Sequence, residues 1–311
     1  MDKTGGILNK EKNFVSAVVY LRNDEQRAGD FLRALARVLS DNFLSFEIIC
    51  VNDACTDGTI AAVKAAIGGD VVTSIVHMSH YQGPEAAMNA GIDLAIGDFV
   101  FEFESVSMDY DPALIMEVYR KALTGYDIVS AAPKGRGKLS SRLFYLLFNR
   151  YARVQYALFG ESFRVLSRRA INRVHAISKT IPYRKAVYAS CGLKVGSIQY
   201  PKKGAARSKN AGAKRRELAV NSLILFTDLG FSLAKWLTAI MILMTLFFGG
   251  YTVAVYLSAS PVPGWTTTML LISAGFFGLF SILTVIIKYL SILTNLVFIQ
   301  QKYIIEGIEK L

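Results

Sequence analysis

Cysteine is almost missing from this chain. There are three, Cys50, Cys55 and Cys191, and none stands in a metal-like spacing. Thiols so placed do not build a disulfide framework and point to a reducing compartment. Histidine is as scarce, and His77, His80 and His175 show no spacing that would clasp a metal. No G-x-G-x-x-G turn follows the first strand-like run, and no G-x-x-x-x-G-K-[ST] loop occurs anywhere. Both absences argue against a pyrophosphate held on a helix N-terminus. The opening MDKTGGILNKEKN is polar, so no signal peptide is expected. Charge of either sign is missing from Trp236 to Ile287, a run of 52 residues. Acids nearly vanish between Lys134 and Arg216, where Glu161 stands alone against 21 Lys and Arg.

The uncharged run accounts for much of a composition that is 52% hydrophobic. SASPVPGWTTT interrupts it, leaving halves of 22 and 19 residues, close to the roughly 20 apolar residues that cross a bilayer core. A transmembrane hairpin over 233–287 is expected, with helices at about 233–257 and 269–287; a buried helical hairpin in a soluble core is the alternative. The loop 258–268 carries no charge, whereas Lys235, Lys288 and Lys302 lie on the other side. Positive-inside reasoning places the N-terminal region and both termini in the cytoplasm, at the inner (plasma) membrane. The amphipathic segment 217–232 is expected to lie in the interface as a helix. The last stretch, 288–311, reads as a lightly charged cytoplasmic helix that returns along the membrane or pairs with another protomer.

The basic block from Lys134 to Arg216 carries +20, so in a chain of net charge +11 the remainder is −9. Nucleic acid is one partner for such a block. It runs directly into the apolar segment and holds no nucleic-acid module, so anionic lipid headgroups or a phosphorylated lipid fit better and no nucleic acid is expected. Most of these cations are read as neutralising headgroups. Arg164 is singled out because it sits in apolar SFRVL, where an unpaired guanidinium would be costly.

Residues 1–216 read as one domain. FVSAVVYL (Phe14–Leu21), FEIICVND (Phe46–Asp53), VVTSIVHM and DFVFEFE read as strands, separated by helical stretches. That alternation predicts an α/β fold with a mostly parallel sheet covered by helices. Ligands in such sheets sit at the carboxyl ends of the strands. Here those ends are Asn23–Glu25, Asn52–Asp57, His80–Gly83 and Glu102–Asp111, each polar or acidic. The last, GDFVFEFESVSMDYDP, delivers Glu102, Glu104, Asp109 and Asp111 to one strand end. A solvated turn explains such carboxylates, and so does a divalent cation that grips a diphosphate.

VVYLRNDE, EIICVNDACTDGT, HYQGPEAAMNAGIDLAIGDFV and the acidic strand end resemble, in order and spacing, the family 2 glycosyltransferases with the GT-A fold. ESFRVLSRRAINRV and the C-terminal apolar pair resemble its polyprenyl-phosphate (dolichol-phosphate mannose synthase-like) branch. The resemblance implies a nucleotide-sugar donor, with Asp24 and Asp53 at its base and ribose, Asp57 supporting the turn, and Arg207 and Lys209 near its diphosphate. It implies Mg2+ or Mn2+ at the strand end, where the family's D-x-D reads Glu102-Phe103-Glu104. Three arrangements stay open: Glu104 ligates the metal with Glu102 facing the ribose, Asp109 or Asp111 reaches back, or the metal site is weakened or absent. Homo-oligomers are also implied, without a fixed number.

A polyprenyl-phosphate acceptor is already ionised, so it needs placement and stabilisation of the leaving diphosphate rather than a strong base. Arg164 is the expected phosphate contact, supported by Arg136, Lys138, Arg168 and Arg169, since a guanidinium fork suits phosphate oxygens. Glu104 and Arg164 are the residues expected to carry the chemistry. An acceptor hydroxyl on a lipid-linked glycan would instead need a carboxylate base, for which Glu161 is the acid at hand. A transferase-like scaffold without activity is the third reading, motivated by the altered D-x-D.

Overall fold

The computed structural model describes residues 10–67, 71–135, 139–151, 156, 158–177, 183–203, 264–298 and 303–311, with scattered positions between 236 and 247. The chain divides into two compact units. One is Met1–Asn149, Val154–Arg215 and Gln300–Leu311; the other is Arg150–Arg153 and Arg216–Ile299.

In the first unit, strands and helices alternate as β1 (Val15–Leu21), α1 (Glu25–Asn42), β2 (Phe46–Asn52), α2 (Thr59–Ala66), β3 (Thr73–Met78), α3 (Pro84–Leu94), β4 (Phe99–Phe103) and α4 (Ala113–Leu123). Then follow β5 (Ile128–Lys134), α5 (Leu139–Tyr151, whose last residues fall to the second unit), β6 (Phe163–Ser167), α6 (Arg168–Ile177), α7 (Arg184–Ser190) and β7 (Val195–Pro201). A final strand, β8 (Ile305–Lys310), completes one sheet in the order β7-β5-β6-β4-β1-β2-β3-β8. The four strands expected from sequence are mutually parallel, in the order β4-β1-β2-β3. The sheet as a whole is mixed, because β6 runs antiparallel to β4 and β5, and β8 runs antiparallel to β3.

Every residue of β1 is buried, as a continuous apolar run in a sheet covered on both faces requires. Helix α1 turns Ala28, Phe31, Leu32, Leu35 and Leu39 onto that sheet, a three-to-four spacing that keeps one face apolar. Phe31 meets Phe103 edge-on at 5.4 Å and Phe43 meets Tyr119 at 4.9 Å, so the α1 and α4 side of the sheet is an aromatic core. On the other face α3 comes closer. A Cβ on Gly91 would run into Val18 Cγ1 and stand 2.7 Å from Val51 Cγ2. Gly91→Ala is therefore expected to destabilise the protein by about 1–3 kcal/mol despite alanine's better helix propensity, a reversal that a thermal melt would register.

The expected C-terminal helix is corrected at its far end. Residues up to Phe298 are helical, but Ile305–Lys310 form β8, paired with Ser74–Met78. Gly307 favours that outcome, since glycine weakens a helix. The apolar Ile304, Ile305 and Ile308 fit either period and so hid the strand.

In the second unit the backbone of α8 (Trp265–Phe298) is a helix of 34 residues, with side chains described for only part of its length. Among the described residues no helical stretch is long and apolar enough to cross a membrane. The segment 217–232, most of 233–257, and Arg136, Lys138, Arg207 and Lys209 lie outside the described residues.

Candidate active site

The carboxyl ends of β1, β2 and β3 meet in a hydrogen-bonded set of turns. Asp53, fully buried, accepts from the Gln82 N–H at 2.8 Å, the Gly83 N–H at 2.9 Å and the Tyr20 hydroxyl at 2.9 Å. Its carboxylate thus pins the turn between β3 and α3 to the end of β2. Asp24 opens α1 and pairs with Arg27. Asp57 accepts from the backbone N–H groups of Glu25 at 3.3 Å and Thr59 at 3.1 Å, tying the start of α1 to that of α2. Burial pushes the Asp57 carboxyl up, and the Thr59 hydroxyl with the Thr59 and Glu25 N–H groups more than reverses it, holding its pKa below the ordinary carboxylate value. Arg22 donates to the carbonyls of Asp53 and Ala54 and lies 4.6 Å over the Tyr81 ring. Asn23 and Ala54 both have positive φ, 52° and 53°. Non-glycine residues in that region cluster at ligand sites.

The acidic end of β4 faces cations. Glu102 lies directly across from Arg164 in the β4–β6 register. Glu102 is fully buried and Arg164 is 1% exposed. Arg164 Nη1 stands 2.9 Å from Glu102 Oε2, while its Nη2 donates to Glu104 Oε1 at 2.6 Å and lies 2.8 Å from Glu161 Oε1. Arg184, buried at the start of α7, donates to Glu104 Oε1 at 3.2 Å and pairs with Glu85 at 3.3 Å. Lys185 adds its ammonium 3.6 Å from Glu104 and 3.5 Å from Glu161. The Tyr188 hydroxyl donates to Glu102 Oε1 at 2.6 Å. Three cations therefore interleave with four carboxylates, and Glu104 is the carboxylate with most exposure, 27%.

Burial alone would raise the pKa of Glu104, but Lys185, then Arg164 and Arg184, hold it well below the carboxylate range. Glu85 moves the other way: burial, helped by the charge of Glu104, outweighs Arg184 and raises it. Burial would lower Lys185, and Glu104 and Glu161 more than reverse that. Protonating Glu85 brings the cluster to neutrality. Even so, Glu102 Oε2, Arg164 Nε and Nη1, and Arg184 Nε are buried without an aligned hydrogen-bond partner. A cavity of about 30 Å3, lined by Ser130, Glu161, Arg164, Lys185 and Tyr188 among others, adjoins them.

Residues 16–188, more than half of the chain, match the family described as Glycosyl transferase family 2. The chain belongs to that family. The transferase is 24% identical over 267 residues to an uncharacterised glycosyltransferase of Synechocystis, covering 83% of this chain and 84% of that one. It is 24% identical over 230 residues to the bactoprenol glucosyl transferase of Shigella phage SfV, covering 71% and 74%. Among solved structures, its fold is shared by a mannosyltransferase from Pyrobaculum calidifontis in complex with GDP-Man and Mn2+, at TM-score 0.52 and 16% identity, covering 69% and 63%. Mannosyl-3-phosphoglycerate synthase from Rubrobacter xylanophilus is similar at TM-score 0.50 and 18% identity, covering 68% and 72%.

In this transferase the strand-end carboxylates, as arranged, do not fit Mg2+ or Mn2+. Glu102 is sealed from any ribose or metal by Arg164 and Tyr188. Asp109 does not reach back, since it accepts from Tyr200 at 2.8 Å and pairs with Lys202 at 3.3 Å. Nor does Asp111, which pairs with Lys203 at 2.9 Å and accepts from the Ala113 N–H at the start of α4. Among the described residues no group of three ligating side chains could hold a metal.

Two expected phosphate contacts lie elsewhere. Arg168 donates to the carbonyls of Ala95 and Gly97, and the exposed Arg169 pairs with Asp127 at 2.6 Å. Both follow β6, which runs antiparallel to β4, so they lie beyond the opposite end of β4 from Glu104, roughly 20 Å along the strand direction. Arg184, Lys185 and Tyr188 escaped sequence reasoning. In a block with 21 basic residues nothing marks PYRKAVY apart except the apolar run that buries it.

Proposed function

We propose that the transferase moves a sugar from a nucleotide-sugar, a UDP-sugar in the first instance, to a polyprenyl phosphate, with inversion. The observation that carries this reading is the state of Glu161. It lies 2.8 Å from Arg164 and 3.5 Å from Lys185, so the acid at hand to deprotonate an acceptor hydroxyl is already clasped by two cations. An acceptor phosphate, ionised near neutral pH, needs no such base. The similarity to a bactoprenol glucosyl transferase, which covers more of the chain than the matched family domain, supports the same acceptor class.

In this reading the acceptor phosphate oxygen forms the new bond to the anomeric carbon, and the bond from that carbon to the donor diphosphate breaks with its electron pair leaving on the diphosphate. The turns after β1, β2 and β3 hold the nucleoside, with Asp24 and Asp57 at the helix starts and Asp53 fixing the Gln82–Gly83 turn. Arg164 is a positioning residue: at 1% exposure it aligns Glu102, Glu104 and Glu161 and does not reach for phosphate. Arg136, Lys138, Arg207 and Lys209 are the proposed phosphate contacts.

The membrane hairpin over 233–257 and 269–287 belongs to this proposal, as do the inner-membrane location, contact with anionic lipids and assembly into homo-oligomers. One feature of the sheet supports the hairpin. Because β8 pairs with β3, the chain before and after the apolar segment lies on one side of any membrane that segment enters. An even number of crossings agrees with that pairing, and the proposal puts both flanks in the cytoplasm.

Solubilised protein, a panel of UDP- and GDP-sugars labelled in the sugar, and undecaprenyl phosphate or undecaprenol test the acceptor. Label is expected in lipid with the phosphate and absent with the alcohol. Transfer to the alcohol, or to a glycan hydroxyl, would refute the phosphate as nucleophile.

A further inference from the structure

We infer that the acidic end of β4 takes no divalent cation, and that Lys185, with the Arg164 and Arg184 guanidinium groups, supplies there the positive charge a metal would bring. The catalytic half of this inference rests on the transferase reading above; the binding half does not.

Each oxygen of Glu102 and Glu104 already stands against a protein donor or cation. Glu104 Oε1 receives two guanidinium donors, at 2.6 and 3.2 Å, and its carboxylate also faces the Lys185 ammonium at 3.6 Å. Glu102, the second member of the pair, has one oxygen on the Tyr188 hydroxyl and the other against Arg164. Mg2+ and Mn2+ bind through several oxygens at once and bring two charges. A metal at Glu104 would stand within a few ångströms of three protein cations. Those cations cannot retreat cheaply, because Arg164 and Arg184 are buried and would leave their remaining carboxylates uncompensated. The alternative reserves, Asp109 and Asp111, are held on Lys202 and Lys203 beyond the end of β7.

The cluster is also complete in charge without a metal. Glu102, Glu104 and Glu161 are matched in number by Arg164, Arg184 and Lys185, and burial raises the pKa of the fourth carboxyl, Glu85. An added divalent ion would unbalance it by two charges. For the transfer this means that the negative charge developing on the departing diphosphate is felt, without direct contact to the buried guanidinium groups, by fixed side-chain cations of which Lys185 is the most exposed. Arginine and lysine are suited to that role in a water-poor site, being already oriented before the bond breaks.

The test is Mn2+ titration of the full-length protein followed by electron paramagnetic resonance, in detergent, with and without UDP-sugar, beside the transfer assay in EDTA or Mn2+. The spectrum of free Mn2+ is expected to be unchanged by protein beyond what the nucleotide alone produces. Transfer is expected to differ by less than about twofold between EDTA and Mn2+, where a metal that stabilises the leaving group would be worth about a hundredfold or more. One Mn2+ bound per chain in the wild type and lost in Glu104→Gln would overturn the inference, as would transfer that EDTA abolishes and Mn2+ restores. Mn2+ bound equally by wild type and Glu104→Gln sits elsewhere and leaves the strand end metal-free, as proposed. If no donor turns over in either condition, the function proposed above fails, and the Mn2+ titration still decides the binding half.

Discussion

Arg164→Met is expected to cost the fold before it costs the chemistry. The side chain it replaces is 1% exposed and set among Glu102, Glu104 and Glu161 at 2.6–2.9 Å. Truncating it leaves Glu102 buried and ionised with Tyr188 as its close donor. Breaking a buried pair in this way costs about 3–5 kcal/mol, a large part of the 5–15 kcal/mol that holds a typical domain together. A drop in Tm of roughly 10 °C or more follows for a unit of this size. Adding Glu102→Leu should restore much of the loss, because removing both charges is far less costly than removing one.

The dependence on pH has a definite sign. In the wild type Glu104 titrates below its ordinary value, so its contribution is present above about pH 4.3 and is lost as pH falls through the folded-state value. In Arg164→Met one of the cations that hold Glu104 down is gone, so less of that contribution is left to lose as pH falls. Melts of the two proteins should therefore converge toward acid pH. Equal stability at neutral pH, or a gap that widens on acidification, would contradict the cluster described here.

Removing residues 303–311 is expected to have the second large effect. β8 pairs with β3 along Ser74–Met78, and the strap extends beyond the ladder. The Gln82 side chain donates to the Ile304 carbonyl at 2.7 Å and accepts from the Ile304 N–H at 2.9 Å, and Ser79 N donates to the same carbonyl at 3.1 Å. The Tyr303 hydroxyl donates to Asp93 at 2.7 Å. Lys64–Glu309 is exposed and adds little. At about 1 kcal/mol net per hydrogen bond, these four strap bonds alone are worth roughly 3–5 kcal/mol, before the ladder is counted. The same turn donates to Asp53 through Gln82 and Gly83, so donor binding should weaken by about tenfold or more even where the truncated protein stays folded. Hydrogen exchange is the direct readout: protection in β3 and at Gln82 should fall while that in β5 and β6 stays. Unchanged exchange in β3 would show that β8 does not belong at that edge.

Much of the sheet was legible because its first four strands are largely apolar runs that end in polar or acidic residues, as a mostly parallel sheet covered on both faces requires. The strand ends were legible as sites for the same reason. The importance of Arg164 could be read from the apolar residues on either side of it. Its partners could not, since Glu102 and Glu104 lie some 60 residues earlier and only the antiparallel register of β4 and β6 brings them opposite. Arg168 and Arg169 share the character of Arg164 in the sequence, yet they fall past the far end of that register. The carboxylates of Glu102 and Glu104 read as a metal site because their neighbours along the chain are uncharged. The cations that occupy them arrive from β6 and α7.

Between Pro201 and Ile305 lie 103 residues, so β7 and β8, the two outermost strands, are far apart in the order of synthesis. At 5–20 residues per second, a ribosome needs roughly 5–20 s to make that interval. For all of that time β3 is an open edge, with its N–H and C=O groups available to any other extended chain. The last strand to be translated is thus the one that closes the sheet, and slow or aborted translation through the apolar segment leaves an incomplete protein whose first seven strands are already made. Nascent chains stalled there should be held by chaperones through β3, and released once β8 has been added.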